Sequence, residues 1–404
     1  LIYFNLEIDQ TTILQSILLI ILILFFFKSI FLSYLIFKQN QTVLNLLASF
    51  SKKLFNYYLN QSYLFHVDKN PSILLRNINQ EVSAVVTNYL NAFLFLITET
   101  LVCCGLIIIL FIYQPFGLLL SITIFGSLSI IFSIFTRKKV RSWGKIRQEN
   151  EHKKIKNLIQ AFNSIKEIKL YSKEKFFDNI NSYLFNTHAS INTKNTVLNS
   201  LVRPWLEFFF IISIVILIFY LIYSTESITS IFATLALFAA AAFKLLPSIN
   251  KILVSIQSMR FTQDAVDLIY NEFLDIENLK KNFDKKSNEK LLFQNIYFQN
   301  VYVQYPSRSN ETLKNININV NKNDIIGIVG GSGAGKSTFV DTFIGLTPTK
   351  SGVIKINDND FNFRKKVWQN CIGYVPQNIY LVDESIKKNI AFGVEDHLID
   401  INKK

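Results

Sequence analysis

Residues Gly330 to Ser337, GGSGAGKS, carry the clearest chemistry in the chain. They fit the phosphate-loop pattern G-x4-G-K-S. Across Gly330, Gly331, Ser332, Gly333, Ala334 and Gly335, glycine lets backbone amides converge on phosphate oxygens. A helix opening at about Lys336 aims its positive end at the same oxygens. Lys336 supplies a point charge for the β- and γ-phosphates, and the Ser337 hydroxyl is placed to ligate Mg2+. Thr338 follows in the first turn, and the apolar spacing of Phe339, Val340, Phe343 and Ile344 makes the segment behind the loop a helix. The apolar run before the loop, in DIIGIVG, reads as a buried strand feeding it.

Two more residues belong with this loop. Tyr305, in VQYPSR, lies 25 residues before Gly330. It is either an aromatic that stacks on adenine or a core aromatic of a strand. Gln377, in IGYVPQNIYL, comes after what reads as a short strand. It is either a Mg2+ ligand that senses the γ-phosphate or a turn residue.

The elements that must position this chemistry are of two kinds. The chain has 404 residues, half of them hydrophobic, with 37 Phe and a net charge of +13. The apolar excess is concentrated before about residue 255. A bilayer-crossing helix needs about 20 mostly apolar residues. Five stretches qualify: Ile13 to Phe37, Asn88 to Tyr113, Phe116 to Phe135, Pro204 to Tyr223 and Ile228 to Pro247. Lys and Arg crowd the loops between the first and second spans and between the third and fourth. Those loops are therefore cytoplasmic. The turns Gln114-Pro115 and Ser224-Thr225-Glu226, and the acidic start LEIDQ, fall outside. Everything after the fifth span is then cytoplasmic, where ATP is. The basic residues flank apolar spans, so no nucleic-acid partner is expected. Cys103, Cys104 and Cys371 make neither a metal spacing nor a disulfide framework and read as small buried hydrophobes. From about Leu291 the pattern changes to strands, in LFQNIYFQNVYVQYP and LKNININVN.

The order of these features resembles an ABC transporter half-subunit of the exporter type. Membrane helices come first, then the aromatic-Pro pair, the phosphate loop, SGVIKIND, YVPQ and SIKKNIAFG. The resemblance implies a helical multi-span membrane domain with five spans of an expected six. An incomplete α/β P-loop nucleotide-binding domain comes after it. The expected limits are residues 1–270 for the membrane domain with long cytoplasmic helical loops, 271–290 for a linker and 291–404 for the ATP-binding part. The family pattern makes Tyr305 the adenine-stacking residue and Gln377 the glutamine that links Mg2+ to the membrane domain. It makes Asn70–Ser83 and Asn163–Phe177 coupling helices. It implies ATP and Mg2+ as ligands and a second copy, or a related half-transporter, as partner. The location is a bacterial inner membrane.

Members of that family carry four further features in a region that would lie beyond Lys404: a serine-glycine signature, a strand ending in Asp, a catalytic Glu and a switch His. None is in this chain, and His397 lies too early to be that His and reads as surface. The chain also starts with Leu, so a chain truncated at both ends, inactive alone in hydrolysis, is the expectation. Lys28, Arg203 and Lys244 lie at or near membrane depth, where charge is costly: each is either a functional cation or a side chain that snorkels to the interface. Lining one cavity, they suit an anionic head such as the diphosphate of a lipid-linked sugar. RNINQEVS, IKEIKLYSKEKFF and FKLLPSINKI are similar to flippases of lipid-linked oligosaccharides. The alternatives are a general lipid, drug or peptide exporter, and an ATPase-dead partner subunit that only binds nucleotide. A membrane-anchored P-loop kinase or GTPase is disfavoured by YVPQ, Tyr305 and the long loops.

Overall fold

The computed structural model describes residues 10–223, 228–279, 291–306, 308–377 and 379–399. They form two compact units, the second beginning near residue 284 and including the short segment Ser62–Leu64. The first unit is helical. Helix α1 spans Gln10–Leu59, and a short α2 spans Tyr63–Asp68. Next, α3 (Pro71–Arg76), two π-helical stretches (Asn77–Glu81 and Ala84–Leu90) and α4 (Asn91–Tyr113) run on as one 43-residue helix. Helix α5 spans Pro115–Asn163, a short α6 spans Ile165–Leu170, and α7 spans Glu174–Tyr223. Helices α8 (Ile228–Phe261) and α9 (Gln263–Leu279) complete the unit.

Five of these helices are long and apolar enough to cross a membrane, as the hydropathy requires. The first exposes most of its apolar side chains, Phe25, Phe26 and Phe27 among them. Pro115 occupies the first turn of α5, where its missing N–H costs nothing, so Gln114-Pro115 makes the sharp turn between α4 and α5. Leu110, Leu118, Leu217, Leu221 and Phe238 then pack α4, α5, α7 and α8 together. The second turn expected outside, Ser224-Thr225-Glu226, lies outside the described residues, as does nearly all of LEIDQ.

Two expectations on the long loops change. Asn70 to Ser83 is not a separate docking element. The Asn70 side chain accepts a hydrogen bond from Ser72 N at 3.0 Å and Pro71 opens the helix, so Asn-Pro is the start signal of the second span itself. The free-standing short helix of that loop is α2. In the other loop Asn163–Phe177 does break into a short helix, α6, with a left-handed Ser172 behind it. Ile168 is buried there, whereas Ile165, Leu170 and Tyr171 are exposed. Helix α9 runs to Leu279, into the stretch read as linker, and residues 280–290 lie outside the described residues.

The second unit holds an antiparallel sheet in the order β2-β1-β3-β4, with β1 Asn295–Val303, β2 Leu313–Asn321, β3 Ser351–Ile356 and β4 Asn359–Asp360. The β3–β4 turn has Asn357 and Asp358 both at positive φ, 47° and 64°, which is the hairpin turn that matches strand twist. Helix α10 (Lys336–Phe343) lays Phe339 and Phe343 against Phe298 of β1, and Trp368 of α11 (Phe361–Gln369) closes the core. A short helix, α12 (Ile386–Ile390), is capped by Ser385, and a 3-10 turn, Asp396–Leu398, follows it.

Candidate functional site

The phosphate loop has the geometry its residues call for. Gly333 and Gly335 take φ of 82° and 88°, open to glycine and strained for other residues. At Gly335 an added Cβ would also sit 2.9 Å from Leu313 Cδ2 and 3.1 Å from the Thr312 carbonyl oxygen. Helix α10 begins at Lys336, so its first free amides face the loop. The Lys336 ammonium folds back and donates to the carbonyl oxygens of Gly330 and Gly331, both at 2.7 Å. Ser337 is exposed beside it, and Thr338 is buried.

Tyr305 meets this helix directly: its hydroxyl lies 3.4 Å from Thr338 Oγ1. The Arg308 guanidinium sits over its ring at 5.9 Å, and the Gln304 side chain donates to the Arg308 and Ser309 carbonyls. The aromatic is thus held at the helix start and not in the sheet core. Gln377 is exposed. Burial pushes the carboxyl of Asp341, half-buried on α10, above its ordinary range.

The two strands expected around the loop are not laddered. Among the described residues the segment 324–330 pairs with no strand, and Ile325 and Val329 are 101 % and 96 % exposed. The segment before Gln377 is likewise unpaired, with Val375 83 % exposed. An apolar run shows that a segment favours burial. A strand also needs a neighbour to pair with, and the run does not supply one. The cysteine expectation also changes: Cys103 is buried, but Cys104 and Cys371 are exposed. His397 is exposed, as expected.

In the membrane unit the three expected cations are scattered. The Lys28 ammonium lies 4.8 Å from the Phe25 ring centroid on α1. Lys244 is exposed on α8. Of the three, Arg203 alone lines the cavity of about 480 Å3 between α7 and α8. The other polar lining of that cavity is Glu207, Asn250 and Lys251. Arg203 Nε donates to Glu207 Oε1 at 2.8 Å. Lys251 Nζ donates to Glu99 Oε1 at 2.8 Å, and Ser248 Oγ donates to Glu99 Oε2 at 2.7 Å. Glu99 and Glu207 were not among the expected site residues. Their signal was present, since each is the one acid in its apolar span, but a cavity for an anion draws attention to cations alone.

Comparison with known proteins gives the same two-part division. The family profile described as ABC transporter transmembrane region matches residues 2–244, and that described as ABC transporter matches residues 313–403. The chain belongs to the ABC transporter family. It is similar to the subtilin transport ATP-binding protein of Bacillus subtilis, 25 % identical over 83 % of this chain and 55 % of that protein. It is also similar to the ATP-dependent lipid A-core flippase of Blochmanniella floridana, 26 % identical over 84 % of this chain and 58 % of the flippase. A solved bacterial Atm1-family ABC exporter with ATP bound shares the fold at a TM-score of 0.63 and 16 % identity, over 88 % of this chain and 62 % of that one. The chain spans 55 % to 66 % of the length of the first curated relatives it matches. This ABC protein is therefore a multi-pass membrane protein with a cytoplasmic ATP-binding domain.

Proposed function

We propose that the protein is one half of an ATP-driven ABC exporter. It works as a dimer with a second copy or a related half-transporter, and moves an amphipathic substrate, a lipid-linked oligosaccharide or another lipid or peptide, out of the inner leaflet. The observation that carries this is the junction of a formed phosphate loop with five apolar helices in one chain. The lipid A-core flippase and the subtilin transport protein support an amphipathic cargo.

The residues present fit a nucleoside triphosphate and Mg2+. Two left-handed glycines open the cradle, the Lys336 ammonium is within reach of a phosphate once it leaves two carbonyls, and the Ser337 hydroxyl stands at the helix start. Ser337 and Gln377 would hold Mg2+, which neutralises charge between the β- and γ-phosphates when bound. Tyr305 would stack on adenine. Lys336 and the first amides of α10 orient the phosphates. The test is ATP-dependent uptake of a fluorescent lysolipid into inverted membrane vesicles, with the wild-type protein beside Lys336→Ala. Uptake that needs ATP and Lys336 supports the reading. ATP binding with neither hydrolysis nor uptake would instead leave a nucleotide-binding partner subunit.

A further inference from the structure

The cavity between α7 and α8 is polarised along the membrane. Its charged and amide groups, Arg203, Glu207, Asn250 and Lys251, lie toward the cytoplasmic ends of the two antiparallel helices. Phe210, Ala242 and Phe243 line it further from those ends. From Ala239 to Lys251 it runs along α8 for about 18 Å at 1.5 Å per residue. A cavity of this size and lining takes a small amphiphile, polar end inward and tail toward the membrane interior.

The pairing of its charges narrows the head group. Arg203 is held by Glu207 and Lys251 by Glu99, each at 2.8 Å. The lining cations and their direct partners therefore sum to zero. Lys244, one turn from Ser248, also acts on Glu99 but does not line the cavity. Asn250 adds a buried amide oxygen without a hydrogen-bond partner, an acceptor that calls for a donor. A multiply charged anion entering here would lose its water beside the Glu207 carboxylate and meet no net positive field. A head bearing both an ammonium and a phosphate or carboxylate meets both signs and the free acceptor.

We infer that this cavity binds zwitterionic amphiphiles, with a primary ammonium and a single anionic group on one apolar tail, in preference to lipid diphosphates. The inference rests on the export reading for its purpose and replaces the diphosphate head that the lone cations suggested.

Two probes with the same diazirine-bearing tail decide it: hexadecylphosphoethanolamine and hexadecyl diphosphate. The purified chain in a non-ionic micelle is photolabelled with each, and the labelled residues are mapped by mass spectrometry. The expected result is at least tenfold more labelling of the cavity by the zwitterion at equal concentration. Glu99→Gln with Glu207→Gln frees Lys251 and Arg203 and should swing the preference at least tenfold toward the diphosphate. Glu207→Gln alone, at an exposed pair that folding tolerates, should move it part of the way. Equal or better labelling by the diphosphate in the wild type overturns the proposal. So does an unchanged preference in Glu207→Gln, or absence of cavity labelling by either probe. The labelling needs no ATP, so its failure leaves ATP-driven export standing. Loss of Lys336-dependent uptake, conversely, leaves the labelling standing.

Discussion

At the residue scale two positions of the phosphate loop separate backbone from charge. Gly335 has a left-handed φ of 88° and no room for a Cβ against Leu313 and Thr312. Gly335→Ala must therefore shift the loop away from the phosphates. Lys336→Ala leaves the backbone alone and removes the charge. Both should weaken binding of a fluorescent ATP analogue at least tenfold, about 1.4 kcal/mol or more. Only Gly335→Ala should also lower the thermal midpoint, because Lys336 serves the ligand and is otherwise bonded only to the loop's own carbonyls. A midpoint lowered equally by both would put Lys336 in the fold instead. A third residue titrates. Burial, with Asp275 adding to it, pushes the Glu272 carboxyl on α9 above its ordinary range, against the opposing pull of Lys69 and Arg76. Its unfolded form loses the proton first, near pH 4.5. The native state then binds more protons than the unfolded one, so this residue's contribution falls as pH rises toward the native value. Glu272→Gln keeps a group for the Asn77 amide, 3.4 Å away, and carries no charge. Its thermal midpoint should exceed wild type by a few degrees near neutral pH and match it in mild acid, where the wild-type carboxyl is protonated in both states. A gain independent of pH would mean that packing, and not ionisation, is responsible.

At the element scale the spacing between helices is set by what a glycine leaves out. A Cβ on Gly144 of α5 would run into the Phe261 carbonyl at the end of α8, which is backbone and cannot step aside. Gly126, on the same helix, has nothing within 4 Å of that position. Gly144→Ala should destabilise the membrane unit by about 1–3 kcal/mol as an overpacked contact. Gly126→Ala should be neutral or stabilising by up to about 1 kcal/mol, the helix preference of alanine. Thermal unfolding of both in one micelle checks the pair, and equal effects would mean that α5 and α8 do not approach as described. The same elements show what sequence can convey. Spans, the Gln114-Pro115 turn and the phosphate loop were legible because each is written in a local run: hydropathy, a proline at a helix start, glycines before Lys-Ser. Asn70–Ser83 was misassigned because a helical face looks the same in a loop helix and in the extension of a span. The π-helical stretches gave no signal. They carry Asn77 and Glu81, which the fold buries with Arg76 and pairs with the half-buried Arg147, in a network assembled from residues far apart in the chain. Glu99 and Lys251, 152 residues apart, became a pair only once α4 and α8 lay side by side.

At the scale of the whole molecule, charge fixes which way the chain threads the bilayer, and its cysteines can report it. The cytoplasmic loops hold the lysine- and arginine-rich stretches, among them TRKKVRSWGK, while Gln114-Pro115 sits between two apolar helices on the opposite side. Reversing the chain would move those basic loops across the membrane, against the bias that orients membrane proteins. Cys371 is exposed in the nucleotide-binding unit, Cys103 is buried, and Cys104 faces outward from an apolar span that a charged reagent does not enter. A membrane-impermeant maleimide should therefore leave the wild-type protein unlabelled in sealed right-side-out vesicles. In inverted vesicles it should label the protein once, at Cys371. Gln114→Cys should add a label in right-side-out vesicles and none in inverted ones. This placement also governs the cavity between α7 and α8. With the ATP site inside, its charged end opens toward the cytoplasmic leaflet, the leaflet from which an exporter must draw an amphiphile. Labelling of Cys371 in right-side-out vesicles would reverse the chain and turn that charged end outward. Export from the inner leaflet through this cavity would then be untenable, even with every contact around the phosphate loop intact.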